Sequence, residues 1–320
     1  MIVFVTRQIP EAGTALLKEA GHEVRVYPKG EIISREELLE GVKGVDAVLA
    51  MLTEKIDAEL LDAAGAQLKI VADYAVGYDN VDLEAARSRG VAITNTPDVL
   101  TATVAEYTFA LILALSHRVV QGDRFFRAGT YKGWEPMLLL GNDIQGKTLG
   151  IVGLGRIGMQ LAQYAAGSFG MNVRYYDVRR NEEFERDCGA RFHATLEELM
   201  PHADYVSIHV PLNPSTRHII NAARLKLMKR SAYLINTSRG PVVDEAALVA
   251  ALTDGTIRGA ALDVFEHEPT PTPGLTALEN VIVTPHIASA TEETRAKMAE
   301  LAARNIIEVL AGRPAPNAVQ

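Results

Sequence analysis

From the first residue to about position 97, short runs rich in β-branched and aromatic residues alternate with helix-length stretches. The runs are Ile2 to Val5, Val24 to Tyr27, Val45 to Met51, Lys69 to Tyr74 and Val91 to Thr94. That rhythm predicts βαβ units and a five-stranded parallel sheet flanked by helices. Ser34 with Glu37 three positions on forms a capping box at a helix start, and Gly21 and Gly90 are placed to stop helices. Val104 to Val119 is apolar nearly all round, the pattern of a long helix buried between layers or domains. Strand-like runs resume at Thr148 to Val152, Val173 to Tyr176, Tyr205 to His209, Ala232 to Asn236, Gly259 to Val264 and Val281 to Thr284, predicting a second doubly wound sheet of six strands. A last helix is expected from about Thr291 to Leu310, and residues 312 to 320 are too few for a functional tail.

Composition narrows the class. With 320 residues, 48% of them hydrophobic and 22% charged, the chain is long and apolar enough for two globular domains with separate cores. A net charge of -8 gives no general basic surface, so nucleic acid is not an expected partner. The single cysteine, Cys188, excludes an internal disulfide and a multi-cysteine zinc site, no metal is expected, and a reducing cytoplasm suits it. Met1 to Val5 is too short for a signal sequence and Phe109 to Leu115 far too short to span a bilayer, so the expected location is the cytoplasm, away from membranes.

The strand ending at Val152 runs directly into Gly153-Leu154-Gly155-Arg156-Ile157-Gly158 and then a helix, the context of a dinucleotide fingerprint. Gly153 would make the tight turn, Gly155 would admit a pyrophosphate to the backbone, and Gly158 would let helix and strand pack closely. The helix N-terminus supplies donors for phosphate. Asp177 lies 19 positions after Gly158 at the end of the next strand, where a carboxylate accepts from the adenosine ribose hydroxyls and faces the extra phosphate of NADP with like charge. NAD is therefore the expected cofactor, while Arg179 and Arg180 keep NADP open.

Reduction of a 2-keto acid needs a cation for the carboxylate, a proton donor for the nascent alkoxide, and a group that keeps the donor protonated. Arg239 in Asn236-Thr237-Ser238-Arg239-Gly240, Glu268 in the run Asp263 to Pro269, and His286 in Thr284-Pro285-His286 each follow the carboxyl end of an expected strand, where open α/β sheets bind ligands.

These segments resemble the D-isomer specific 2-hydroxyacid dehydrogenase family over almost the whole chain. Four motifs carry the likeness: Ala75-Val76-Gly77-Tyr78-Asp79-Asn80-Val81-Asp82, Gly153 to Gly158, Thr237-Ser238-Arg239-Gly240, and Glu268-Pro269 with Pro285-His286. The resemblance implies that His286 is the general acid, that Glu268 bonds its other ring nitrogen and so favours the imidazolium, and that Arg239 holds the substrate carboxylate and carbonyl. It further implies substrate contacts at the backbone of Val76 and Gly77, a nicotinamide contact at Asp263, and a cofactor lining of Val210, Pro211, Thr237, Ser238 and Ser289 besides the fingerprint, Asp177, Arg239 and His286. It implies a flavodoxin-like substrate domain from 1–98 plus 290–320, a Rossmann NAD-binding domain from 99–289, a homodimer built on the cofactor domains, and hinge closure.

Within the family, Ala72 to Asn80 and Gly133-Trp134-Glu135-Pro136 are most similar to glyoxylate and hydroxypyruvate reductases, with Leu52, Tyr74 and Trp134 as an apolar rim for a short side chain or as plain core packing. D-lactate and D-3-phosphoglycerate dehydrogenases stay open as alternatives. Phosphite dehydrogenases carry a lysine where Ala75-Val76 stands here, and formate dehydrogenases need no acid to protonate an alkoxide. NAD-binding corepressors similar to this family usually add long tails that this chain lacks.

Overall fold

The computed structural model describes residues 1–319. It divides into two compact units, Met1–Leu100 with the chain from Ser289 onward, and Thr101–Ala288. The first unit contains β1 (Ile2–Val5), α1 (Glu11–Glu19), β2 (Glu23–Val26), α2 (Arg35–Gly41), β3 (Ala47–Ala50), α3 (Ala58–Ala64), β4 (Ile70–Asp73), α4 (Leu83–Ser88) and β5 (Ala92–Thr94). Its sheet is parallel in the order β2-β1-β3-β4-β5. That is the flavodoxin-like order, with the switch point between β1 and β3. Central strands β3 and β4 are buried at every position, as a parallel sheet covered on both faces requires. The Ser34 capping box opens α2, and Gly21 and Gly90 adopt positive φ beyond α1 and α4.

The second unit begins with α5 (Thr101–Ser116) and α6 (Val119–Arg127). The single long helix expected over Val104 to Val119 is instead broken, with Arg118 at φ 54° and a 61° bend. Burial explains the break. α5 buries Val104, Phe109, Leu111, Ile112 and Leu115, whereas α6 buries none of its residues. No single helix among the described residues is long and apolar enough to cross a membrane.

There follow β6 (Thr148–Val152), α7 (Arg156–Phe169), β7 (Asn172–Tyr176), α8 (Glu182–Cys188), β8 (Arg191–His193), α9 (Leu196–Leu199), β9 (Tyr205–Ile208), α10 (Ala222–Leu225), β10 (Tyr233–Asn236), α11 (Glu245–Thr253), β11 (Gly259–Leu262) and β12 (Val281–Val283). The sheet has seven parallel strands in the order β12-β11-β10-β9-β6-β7-β8. The six-strand expectation is corrected by β8, a three-residue edge strand, Arg-Phe-His, without a β-branched residue to mark it. The order reverses at β6 and β9, so ligand-binding loops are expected beyond their carboxyl ends.

The last helix, α12 (Glu292–Leu310), returns to the first unit and packs on α1 and β4 through a stripe that includes Met298, Ala299, Ala302, Ala303 and Ile306. Beyond it the chain lies antiparallel to β5, with the Val319 amide donating to Ile93 O at 2.8 Å.

Candidate active site

At the switch point of the second sheet, Gly153 leaves β6 with φ 95°, and a Cβ there would sit 2.8 Å from Val210 Cγ1. A Cβ on Gly158 would lie 2.4 Å from Gly153 O, so helix and strand meet at a distance only glycine allows. Gly155 differs: it is exposed, precedes the first residue of α7, and nothing lies within 4 Å of where its side chain would be. Open space at the N-terminus of a 14-residue helix is what an incoming phosphate needs. Leu154 is buried, Ile157 packs into the core, and Arg156 is exposed. Pro211 is exposed beside the half-buried Val210.

Asp177 is fixed at the end of β7 by two amides, Leu154 N–H to Oδ2 at 2.7 Å and Arg179 N–H to Oδ1 at 3.1 Å. Its carboxylate is thus tied to the glycine loop itself. Arg180 is turned away into Glu185, at 2.8 and 2.9 Å, and Glu185 raises its pKa further. Arg179 is exposed.

On the same sheet, β10 delivers Arg239. Asn236, wholly buried, accepts the Ser238 amide at 3.0 Å and the Ser238 hydroxyl at 2.9 Å, and donates through Nδ2 to Arg239 O at 2.9 Å. Thr237 Oγ1 lies 2.8 Å from Thr108 Oγ1 on α5. Gly240 follows at a close approach of backbones, where a Cβ would fall 1.9 Å from the Phe265 carbonyl carbon. The Arg239 turn and the loop carrying Glu268 are therefore packed backbone to backbone.

β12 delivers His286, which stands at φ 56°, a conformation that costs a non-glycine residue on the order of 1–2 kcal/mol. Asp263 holds it there. Completely buried, that carboxylate accepts from Thr284 Oγ1 at 2.6 Å, Ile287 N at 2.9 Å and Ala288 N at 2.7 Å, while Asp263 O accepts the His286 amide at 2.8 Å. Its oxygens are thus turned to the His286 loop, where the sequence suggested a nicotinamide contact. His286 Nδ1 lies 2.9 Å from Glu268 Oε2, and Glu268 Oε1 accepts the Phe265 amide at 3.1 Å. Burial alone would raise the Glu268 pKa, but the hydrogen bond and charge of His286, the Phe265 amide and the charge of Arg239 outweigh it and hold the carboxyl below its ordinary value. His286 and Arg239 thus both act on Glu268 within this unit.

Two other histidines of this unit differ. His209 follows β9, pairs with Ser207 Oγ at 2.8 Å, and burial pushes its imidazole down to about 4, so it is a neutral packing group. His218 pairs with Glu266 at 2.6 Å, beside Arg217. The His218–Glu266 pair did not announce itself in sequence, since lone polar residues in loops carry no periodic signal, and Asn236, which ends β10, read there only as the start of the run to Gly240. Trp134, weighed as core or rim, is 81% exposed on the chain beyond α6.

In the first unit, Leu52 follows β3 and Val76-Gly77 follow β4, all partly buried at the carboxyl edge of neighbouring strands. Buried Glu54 braces the Leu52 loop by accepting from Thr6 Oγ1 at 2.8 Å, Thr53 Oγ1 at 2.6 Å and the Met51 amide. Asn95 Nδ2 donates to Val76 O at 2.8 Å. Tyr74 is 5% exposed with its hydroxyl on Arg295 O at 2.5 Å, which makes it core packing rather than a rim. Ser289 opens the returning segment of this unit.

Residues 109–288 match the family described as D-isomer specific 2-hydroxyacid dehydrogenase, NAD binding domain. The whole chain is similar to a glyoxylate reductase of Korarchaeum cryptofilum, 50% identical over 319 residues, which cover 99% of this chain and 95% of that one. Among solved structures, a Thermus thermophilus protein superposes with a TM-score of 0.94 at 47% identity over 100% of both chains. An NADPH-dependent glyoxylate/hydroxypyruvate reductase of Sinorhizobium meliloti, in complex with NADP and malonate, superposes with a TM-score of 0.86 at 33% identity, over 99% of this chain and 96% of that one.

Proposed function

The chain belongs to the D-isomer specific 2-hydroxyacid dehydrogenases, oxidoreductases acting on the CH–OH group of donors, and on that premise we propose that it reduces glyoxylate and hydroxypyruvate to the corresponding 2-hydroxy acids with NADH. The observation that carries the proposal is the 2.9 Å contact of His286 Nδ1 with Glu268 Oε2, beside Arg239 and beyond the carboxyl ends of the parallel strands. A paired imidazole and carboxylate suit a reaction that must protonate an alkoxide.

When bound, the reduced nicotinamide supplies the hydride. Gly153 to Gly158 and the first turn of α7 hold its phosphates, and Asp177 accepts from its adenosine ribose. Val210, Pro211, Thr237 and Ser238 line the cofactor. Arg239 binds the carboxylate of the acid and draws electron density toward the carbonyl oxygen. As the carbonyl carbon becomes tetrahedral, His286 Nε2–H donates its proton to the oxygen. Glu268 keeps Nδ1 a donor and stabilises the charged ring beforehand; the ring regains its proton from solvent after turnover. Within the first unit, Leu52 and the backbone of Val76 and Gly77, at the carboxyl edge of β3 and β4, are proposed as substrate contacts.

NAD is favoured over NADP because Asp177 is fixed by two amides and cannot swing aside without losing both, and because Arg180 is engaged by Glu185. The Sinorhizobium relative is NADPH-dependent, so this is a property of this chain's residues and not of the family. The proposal includes a homodimer in the cytoplasm: Val119, Phe126, Tyr131, Trp134, Met137 and Leu140 expose apolar side chains on and just beyond α6, an apolar surface that a second copy would cover.

The test is an initial-rate panel of NADH and NADPH with glyoxylate, hydroxypyruvate, pyruvate and phenylpyruvate. Fast NADH oxidation with the first two supports the proposal. A preference for pyruvate or phenylpyruvate would replace the substrate and keep the chemistry; no turnover with any acid despite NADH binding would overturn it.

A further inference from the structure

Glu245, the first residue of α11, is 2% exposed, and both its carboxylate oxygens are spent on one loop. Oε2 accepts the Glu266 amide and Oε1 accepts the Thr272 amide, each at 2.7 Å. These two amides lie on either side of Glu268. A buried carboxylate is costly unless donors compensate it, and this one takes them from main chain rather than from a cation. A hydrophobic side chain of the same volume would fill the space equally well but would leave the loop's two amides unanswered.

We infer that Glu245 is a positioning residue for the reaction, holding the segment from Glu266 to Thr272 by both ends so that Glu268 stands within hydrogen-bond reach of His286. The inference rests on the reading of His286 and Glu268 as the acid–base pair. Within the segment, the bond from the Phe265 amide to Glu268 Oε1 is internal to the loop and fixes the side chain relative to it, not the loop relative to the sheet. Outside, Glu266 Oε1 ties the loop to His218 at 2.6 Å and Arg217 at 3.1 Å, on the segment before α10. Since Gly240 abuts the Phe265–Glu266 peptide, a loop released from Glu245 would also disturb the turn of Arg239. The charged groups facing Glu268 are His286 and Arg239, and those facing the loop are Glu245, His218 and Arg217.

The experiment compares Glu245→Gln, Glu245→Asp and Glu268→Gln with the parent as full-length proteins, reading kcat and KM for glyoxylate with NADH from pH 5 to 9, NADH affinity by fluorescence, and amide hydrogen exchange of the parent. Glu245→Gln sets an amide N–H against one of the loop's N–H groups, so kcat should fall about 10- to 100-fold, the scale of a slightly misplaced reacting group. NADH affinity should stay within about twofold, and the alkaline limb of the rate profile should move to lower pH in the same sense as in Glu268→Gln. Glu245→Asp, which keeps the charge, should recover part of the rate. In the parent, the Glu266 and Thr272 amides should exchange slowly despite lying outside helix and sheet. Three results overturn the inference: loop amides that exchange at unprotected rates, a Glu245→Gln profile that coincides with the parent while Glu268→Gln shifts, or equal losses in kcat and NADH binding that mark general destabilisation. If Glu268→Gln itself leaves the profile unmoved, the acid–base reading fails and takes this inference with it.

Discussion

Replacing Glu268 with Gln removes one charge and almost no volume, so it isolates the electrostatic part of the His286–Glu268 pair. Two unit charges about 4 Å apart interact by about 1 kcal/mol in water and by about 4 kcal/mol at an effective dielectric constant of ~20. The two side chains are 26% and 33% exposed, which places the pair toward the solvated end. A value of about 2 kcal/mol is a fair measure of the attraction. Gln can still accept from Nδ1–H, and that neutral hydrogen bond returns roughly 0.5 kcal/mol. The remaining ~1.5 kcal/mol is the part of the pairing that the variant loses. The hydrogen bond and charge of His286 hold the Glu268 carboxyl below its ordinary value, and it is this charge pairing that Glu268→Gln deletes. Reduction draws its proton from this pair, so the alkaline limb of kcat/KM with glyoxylate and NADH should move to lower pH in Glu268→Gln. Below that limb the variant should approach the parent rate to within about tenfold. Initial rates from pH 5 to 9 decide it. A uniform drop at every pH with the limb in place would refute the electrostatic role and leave Glu268 only a steric one.

His286→Ala should lower kcat by roughly 10²- to 10⁴-fold while NADH binding, followed by fluorescence titration, is retained; full turnover would remove His286 from the chemistry. Gly240→Ala puts a methyl group 1.9 Å from the Phe265 carbonyl carbon, so kcat/KM should drop and the melting temperature with it, and a variant with parental kinetics would show that the two loops are not in register. Asp177→Ala should narrow the preference for NADH over NADPH by about 10-fold or more, since the like charge is gone, and an unchanged ratio of kcat/KM values would place the discrimination elsewhere.

Much of this molecule could be read from its sequence because most of its strands are buried on both faces. Such strands appear as continuous apolar runs, and every strand expected from that pattern is present, from Ile2–Val5 to Val281–Val283. β8 escaped notice because its pairing is supplied by β7 and not by its own composition. The break at Arg118 falls in the polar triplet Ser116-His117-Arg118, which reads as part of the helix because valines resume at 119 and 120. The glycine fingerprint was legible because each glycine answers a separate steric demand, one of φ at Gly153 and one of close approach at Gly158.

Acids were the least legible residues, for a physical reason. An Asp or Glu just past a strand can face a ligand or can satisfy the amides of the loop it begins, and spacing is the same in both cases. Asp263, expected to meet a cofactor, has its carboxylate accepting from the Thr284, Ile287 and Ala288 donors, a bracing role that its spacing did not reveal. Glu54 does the same for the loop of Leu52, and Glu245 for the loop of Glu268. Even Asp177 first accepts the Leu154 amide of the glycine turn. Loops at the carboxyl edge of a parallel sheet carry amides that no strand pairs, and there water must be displaced for a substrate to bind. A carboxylate is the one side chain that can accept several of those amides at once while resisting displacement, which makes it the natural means of stiffening such an edge. The side chains proposed to react then take their placement from acids committed to loop amides, as Asp263 is to the His286 loop and Glu245 to the Glu268 loop.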